Sequence, residues 1–163
     1  MPAYLILRMT EEATQEDVRE TIKATWGWMN GQYSYTVIDE EFLNSQHDLA
    51  SLVFRVDGEN AHVELARDLH LLLEKSRVGI RVQVLEAADS LPLEMTEAEV
   101  SYFRNESIVE SRMVSNPESC VRLLHIPSGT IARCKESRRK EPNMEGATAL
   151  LKALLSNRVT FSQ

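Results

Sequence analysis

Residues 120–131 decide the fold of the C-terminal part, and they read Cys-Val-Arg-Leu-Leu-His-Ile-Pro-Ser-Gly-Thr-Ile. Apolar, strand-like residues lie on both sides of the four residues 126–129, which include Pro127 and Gly129. Proline presets the φ angle of a turn, and glycine supplies a positive φ. The stretch therefore predicts a β-hairpin whose turn lies at 126–129.

The predicted hairpin carries positive charge on one face. Side chains alternate along a strand, so Arg122, Arg133 and Lys135 share a face. If Pro127 and Ser128 are the central turn residues, Arg122 lies directly opposite Arg133. Like charges placed together favour binding of a phosphate. The alternative interpretation is that these arginines are exposed strand residues that cover apolar neighbours.

The segments around the hairpin complete a second part, residues 100–163. Residues 100–104 are predicted as a strand, and the charged residues 105–118 follow them. The chain ends in a predicted helix, because apolar residues recur there at i, i+3, i+4, i+7 and i+8. These residues are Ala147, Leu150, Leu151, Leu154 and Leu155. Residues 87–99, which include a proline and several small residues, are a predicted linker.

The N-terminal part, residues 1–86, alternates strand-like and helix-like segments. A helix is predicted from a cap at Thr14 to Asn30, and a second one after residue 60. The predicted strands are residues 4–9, 32–38, 49–56 and 78–85. The polar and acidic residues 39–48 are predicted as a loop. The resulting order β-α-β-β-α-β is typical of a ferredoxin-like sandwich, and the fold class is α+β.

Bulk composition places the chain among ordinary globular proteins. It has 163 residues, of which 43% are hydrophobic, and no apolar run long enough to cross a membrane. The start lacks the features of a signal peptide, so a cytoplasmic protein is expected. Its two cysteines, Cys120 and Cys134, fall on opposite faces of the hairpin and match no metal spacing. No metal or other cofactor is expected.

The net charge of −7 is distributed unevenly. Up to Arg112 the chain has 10 Lys and Arg against 21 Asp and Glu, a balance of −11. From Met113 onward it has 8 against 4, a balance of +4. This asymmetry fits a C-terminal piece that contacts phosphate, although two ordinary solvated surfaces are the alternative. DNA is not expected as a partner.

The hairpin sequence resembles a segment of bacterial peptide chain release factors that reads AVRLTHIPTGIV. The similarity continues through residues 134–136 to Arg138, Asn143 and Ala147, and upstream to the strand at 100–104. The match spans residues 100 to about 155. Residues 52–61, LVFRVDGENA, are similar to release factor homologue H, a short relative without the domain that reads stop codons. The resemblance implies the ribosome and its rRNA as partners and peptidyl-tRNA hydrolysis as the family's activity.

The sequence departs from the family at the catalytic loop. The family's loop reads S-G-x-G-G-Q, whose glycines allow a close approach to rRNA and whose glutamine helps to place the attacking water. The matching residues 105–112 contain neither glycine nor glutamine. Phosphate would repel two of their carboxylates. We therefore expect no enzyme activity from this degenerate loop, of which Asn105, Glu106, Ser107, Glu110 and Arg112 are the notable residues.

The family's RNA-contacting patch, R-S-Q-H-x-N-K, is only partly kept. Arg138 and Asn143 match it, and Arg139 and Lys140 preserve positive charge although other positions differ. Asn143 has an alternative role as the N-cap of the last helix. The predicted RNA-binding residues are Arg122, Arg133, Lys135, Arg138, Arg139, Lys140 and Asn143.

Three functions remain open from the sequence. The first is a catalytically inactive release-factor-like protein that binds the ribosome or rRNA and modulates translation. The second is a protein-interaction module that contacts a ribosomal or other protein through its acidic N-terminal part, with a vestigial RNA surface. The third is a peptidyl-tRNA hydrolase in which Glu106 or Glu110 acts as a substitute general base. Trp28 lies off the apolar stripe of its helix and is predicted to mark a partner surface.

Overall fold

A computed structural model describes residues 2–9, 14–42, 49–75, 80–105 and 117–161. The chain divides into two compact units, Met1–Glu86 and Ala87–Gln163. Among the described residues, no helix has the length and apolar character needed to span a membrane.

The first unit consists of one four-stranded sheet and two helices. Its strands are β1 (Ala3–Met9), β2 (Ser34–Phe42), β3 (Leu49–Asp57) and β4 (Ile80–Glu86). Its helices are α1 (Gln15–Met29) and α2 (Ala61–Lys75). The strands lie in the order β2-β3-β1-β4, and each neighbouring pair is antiparallel. This arrangement confirms the predicted ferredoxin-like topology.

The core of the first unit forms around β1, which lies between β3 and β4. Leu5 and Leu7 are fully buried, and they belong to the same hydrophobic cluster as Phe54 and Met29. Tyr4 and Ile6, which alternate with them on the opposite face, are also buried. Truncation of such a central leucine to alanine costs about 2–5 kcal/mol. The apolar run that predicted β1 is therefore apolar because both faces of that strand are covered.

Strand β2 is longer than the sequence predicted. The sequence predicts a loop over residues 39–48, but β2 continues to Phe42. The rest of that segment, residues 43–48, lies outside the described residues. Asp39 pairs with Val53 after a register shift that follows Val37, and Asp39 is 5% exposed. Pairing with β3 overrides the low strand propensity of acidic residues, which a local sequence pattern does not reveal.

The prediction that Trp28 marks a partner surface is wrong. Trp28 is 8% exposed, and its ring packs edge-on against Tyr33 with 5.4 Å between centroids. It shares a face of α1 with Thr21 and Thr25, which are fully buried, and the Thr25 hydroxyl donates to the Thr21 carbonyl at 2.7 Å. Because this buried face contains threonines, the pattern of apolar residues in the sequence does not identify it as buried.

The second unit consists of a three-stranded sheet and one long helix. A short 3-10 turn at Met95–Glu97 leads into β5 (Ala98–Phe103), so the end of the predicted linker belongs to a strand. Strands β6 (Cys120–His125) and β7 (Thr130–Cys134) follow, and the antiparallel order is β5-β6-β7. Helix α3 (Lys140–Phe161) packs on β6 and β7.

Candidate nucleic-acid interface

The hairpin turn is held by a network of short side chains. Gly129 has φ +71, and its N–H donates to the His125 carbonyl at 2.8 Å. The Ser128 hydroxyl lies 2.7 Å from His125 Nδ1 and accepts from the Thr130 N–H at 3.2 Å. Glu97 Oε2 lies 3.5 Å from His125 Nε2. Glutamate, histidine and serine thus meet here, but Ser128 is already engaged by its own turn, so we assign this cluster to hairpin geometry rather than catalysis.

The two arginines of the hairpin lie opposite each other, as predicted. The register of β6 and β7 pairs Arg122 with Arg133. The Arg133 guanidinium lies 4.3 Å from the centre of the Phe103 ring, and its Nε and Nη2 atoms are buried. A guanidinium held against an aromatic ring in this way contributes to packing. Arg133 thus covers an apolar neighbour, as in the alternative interpretation, but Arg122 and Arg133 are half-buried rather than exposed. Their contact with phosphate stays a prediction.

Three consecutive cations are exposed where the chain enters α3. Arg138, Arg139 and Lys140 are all exposed, and the Arg139 N–H donates to the Ser137 hydroxyl at 3.1 Å. Lys140 Nζ lies 4.5 Å from the centre of the Tyr102 ring. We call residues 138–140 the basic turn. These are the predicted RNA-binding residues that the structure places at the surface and next to one another.

Asn143 is buried and holds three segments together. It is 0% exposed and lies within the first turn of α3, so the alternative assignment as N-cap is wrong. Its Nδ2 donates to the Ser119 carbonyl at 2.9 Å and the Ser137 carbonyl at 2.7 Å. Its Oδ1 accepts from the Ser137 N–H at 3.0 Å. Because no part of this side chain reaches solvent, Asn143 positions the basic turn instead of contacting RNA, which corrects our prediction.

A pocket of about 200 Å³ lies beside the basic turn. Asn105 and Pro117, which flank residues 106–116, line one side of it, and Ser119 and residues 135–138 line the rest. Lys135 follows the end of β7 and is only 6% exposed. It therefore contributes to the pocket wall rather than to an open charged strand face.

Most of the degenerate catalytic loop lies outside the described residues. This applies to Glu106, Ser107, Glu110 and Arg112. Asn105 is described, and it lines the pocket. In the described ranges, no three histidine, cysteine, aspartate or glutamate side chains converge as a metal site.

Both cysteines are buried, and neither forms a disulfide. Cys134 Sγ lies close to α3 at Gly146, where an added Cβ would come within 2.5 Å of it. The same Cβ would lie 3.0 Å from Glu136 Oε1. Gly146 therefore allows α3 to approach the end of β7 closely.

Sequence reasoning missed Ser119 and Ser137 as members of the site. Ser119 precedes β6, and its carbonyl bonds a residue 24 positions later, so local spacing contains no sign of it. Ser137 had a weak signal, because a serine two residues before Arg139 is suited to accept the N–H of that residue.

Comparison with known proteins finds sequence similarity to peptide chain release factors. No family model matches the chain. Peptide chain release factor 1 of Alkaliphilus oremlandii is 36% identical over 78 residues, which are 47% of this chain and 22% of that protein. Peptide chain release factor 2 of Helicobacter pylori is 28% identical over 120 residues, which are 66% of this chain and 33% of that protein.

The fold also matches a solved release factor. RF2 of Thermus thermophilus superposes with a TM-score of 0.74 at 20% sequence identity, covering 99% of this chain and 50% of that one. The chain thus spans between about a fifth and a half of the length of the release factors it matches. These matches show that the chain is similar to peptide chain release factors in sequence and in fold.

Proposed function

We propose that this protein binds the ribosome through rRNA, does not hydrolyse peptidyl-tRNA, and modulates translation by occupying its site. The observation that carries the proposal is an RF2-like fold over 99% of the chain together with residues 105–112 that contain neither glycine nor glutamine. A scaffold related to release factors supports a ribosomal partner. A loop without the residues that approach rRNA and place water supports binding without chemistry.

The basic turn supports contact with RNA phosphate. Arg138, Arg139 and Lys140 are exposed neighbours, so up to three phosphates can be neutralised there. Each neutralised phosphate lowers log affinity by about 0.7–0.9 per decade of salt. Three contacts then predict a loss of about 20–40-fold in affinity between 50 and 200 mM salt.

Sedimentation with purified ribosomes tests the binding proposal. We expect the protein to pellet with ribosomes at 50 mM KCl and to be largely released at 200 mM. A triple charge reversal, with Arg138, Arg139 and Lys140 each changed to Glu, should abolish pelleting. The matched control reverses three exposed cations of the first unit, Arg8, Arg19 and Lys23, and keeps the same net charge.

The sedimentation result discriminates between two functions. Equal loss in both triple variants would mean that pelleting reflects overall charge and would contradict the proposal. Complete absence of the wild-type protein from the pellet at 50 mM KCl would also end it. Capture of a protein partner that is unaffected by reversal of the basic turn would favour the protein-interaction module instead.

A hydrolysis assay tests the chemistry separately. Ribosomes that hold peptidyl-tRNA in the P site should release no peptide when this protein is added. Release that disappears in the variants Glu106→Ala or Glu110→Ala would refute inactivity and support a rebuilt catalytic loop. An in vitro translation reaction measures modulation: the wild-type protein should change the yield, whereas the basic-turn triple variant should not.

A further inference from the structure

We propose that the pocket lined by Asn105, Ser119 and residues 135–138 binds a single phosphodiester group of an RNA strand. This proposal rests on the proposed function, and it assigns the RNA contact to a definite place and chemical group. The pocket is separate from the sheet face on which Arg122 and Arg133 lie opposite each other.

The size of the pocket favours one group of a longer chain over a free metabolite. Its volume is about 200 Å³, whereas sites for whole small molecules usually measure roughly 300–1,000 Å³. Asn105 and Pro117 form one side, and Ser119 and residues 135–138 form the others. A backbone phosphate with part of its sugar is a group of suitable size, with the remainder of the strand left outside.

The charge of the pocket suits a monoanion. Lys135 and Arg138 each contribute one positive charge, and Glu136 contributes one negative charge, so the lining residues carry a balance of +1. A phosphodiester carries one negative charge, whereas a phosphate monoester approaches two near neutral pH. Lys135 lies in the wall at 6% exposure, and Arg138 is exposed at the entrance. Charge-assisted hydrogen bonds from such cations are the strong ones.

The acidic residues near the pocket, Glu136 and Glu141, do not remove its preference for a monoanion. Glu136 Oε1 is directed towards the end of β7, 3.8 Å from Cys134 Sγ, and towards Gly146. Glu141 lies in the first turn of α3 and offsets part of the positive end of that helix. The pocket also contains uncharged polar side chains, since Asn105, Ser119 and Ser137 line it. Such groups can donate hydrogen bonds to phosphate oxygens.

The pocket is organised before a ligand arrives. Asn143 bonds the Ser119 carbonyl on one side and both backbone groups of Ser137 on the other. These bonds fix the distance between two walls of the pocket. A preformed site loses less entropy when it binds, so even one phosphate contact can be detected.

Nuclear magnetic resonance on the full chain can locate the bound phosphate. The probes are the dinucleoside monophosphate ApA, its neutral methylphosphonate analogue and inorganic phosphate. We expect ApA to shift the side-chain amide of Asn105, the Nε–H of Arg138 and the backbone amide of Ser137. The neutral analogue should shift none of them, and inorganic phosphate should shift them less at equal concentration. Equal shifts with the neutral analogue, or stronger ones with inorganic phosphate, would overturn the assignment.

Two single-arginine variants separate the pocket from general basic charge. Arg138→Ala should weaken ApA binding by about tenfold or more, because it removes a charge-assisted bond. Arg19→Ala is the matched control, since Arg19 is an exposed arginine of the first unit and does not line the pocket. It should weaken binding by less than about threefold and preserve the shifts at Asn105. Equal losses in both variants, or shifts centred on Arg122, would contradict the proposal.

The outcome is distinguishable from failure of the proposed function. If the Arg138→Ala variant still pelleted with ribosomes and ApA caused no shifts, the pocket assignment would be wrong. Ribosome binding itself would remain supported. A localised ApA response without any ribosome pelleting would support the phosphodiester site and overturn the ribosome as the partner.

Discussion

Replacement of Asn143 should destabilise the second unit more than any exposed substitution in it. Asn143→Ala removes three hydrogen bonds of 2.7–3.0 Å. The Ser119 carbonyl then loses its hydrogen-bond partner. Because Ser119 is only 6% exposed, this loss costs about 1–3 kcal/mol. The two bonds to the partly buried Ser137 contribute about 0.5–1.5 kcal/mol each. We expect a total loss of about 2–6 kcal/mol, a large part of the roughly 5–15 kcal/mol that stabilises a domain.

Urea denaturation, followed together with hydrogen exchange of the β6, β7 and α3 amides, measures this loss. The matched control is Thr148→Ala in the same helix, because within the described ranges the Thr148 hydroxyl bonds the Met144 carbonyl alone, at 2.7 Å. It should cost less than about 1 kcal/mol. A loss below about 1 kcal/mol for Asn143→Ala, or equal losses in the two variants, would refute the assignment of Asn143 as the residue that joins these segments.

The variant Asn143→Asp tests the same site with the shape preserved. The introduced carboxylate would face the carbonyl oxygens of Ser119 and Ser137 without a proton to donate, so we expect it to be at least as destabilising as alanine at pH 7. Burial and the two carbonyls would raise the pKa of that carboxyl in the folded state. Folding would therefore gain stability as the pH falls from 7 towards 4, relative to the wild-type chain. A constant difference across this range would contradict the argument.

The remaining predictions concern three other places. Gly146→Ala should cost about 1–3 kcal/mol because its Cβ would meet Cys134 Sγ, and Cys134→Ala in the same chain should recover part of the loss, measured by a double-mutant cycle. Gly129→Ala should cost about 1 kcal/mol, since φ is +71, whereas Gly27→Ala, in open space within α1, should stabilise by up to about 1 kcal/mol in thermal denaturation. Burial and the hydrogen bond to Asp68 raise the pKa of Tyr33. The protonated Tyr33 hydroxyl therefore stabilises the fold fully below a pH of about 10, and this stabilisation is lost as the pH rises above that value. Tyr33→Phe should accordingly show a smaller alkaline loss of stability.

Local chemistry explains what the sequence could predict. Proline and glycine fix the hairpin turn, and strand alternation then places Arg122 opposite Arg133 without any knowledge of the remaining chain. The order of strands and helices in the first unit followed from hydrophobic periodicity in the same way. Both predictions depend only on residues a few positions apart, which is why they agree with the structure.

Contacts between residues far apart in the chain explain what could not be predicted from the sequence. Strand β2 extends through acidic residues because β3 supplies partners for them. Asn143 was assigned to RNA contact or to helix capping, but its role depends on Ser119, which lies 24 positions away. The packing of Arg133 on Phe103 likewise needs the neighbouring strand β5. Each case is set by tertiary neighbours that leave no periodic signal in the sequence.

Lys135 allows stability and binding to be separated at one position. Removing a buried cation alone leaves its polar neighbours without a partner, so an apolar side chain of similar length should cost some stability there. At 6% exposure in the pocket wall, Lys135 is such a cation. Lys135→Met should therefore lower the free energy of unfolding by less than Asn143→Ala does, while it weakens ApA binding by about tenfold. If this variant lost as much stability as Asn143→Ala, Lys135 would be a structural residue. If it kept both full stability and full affinity, the phosphate would have to be bound elsewhere.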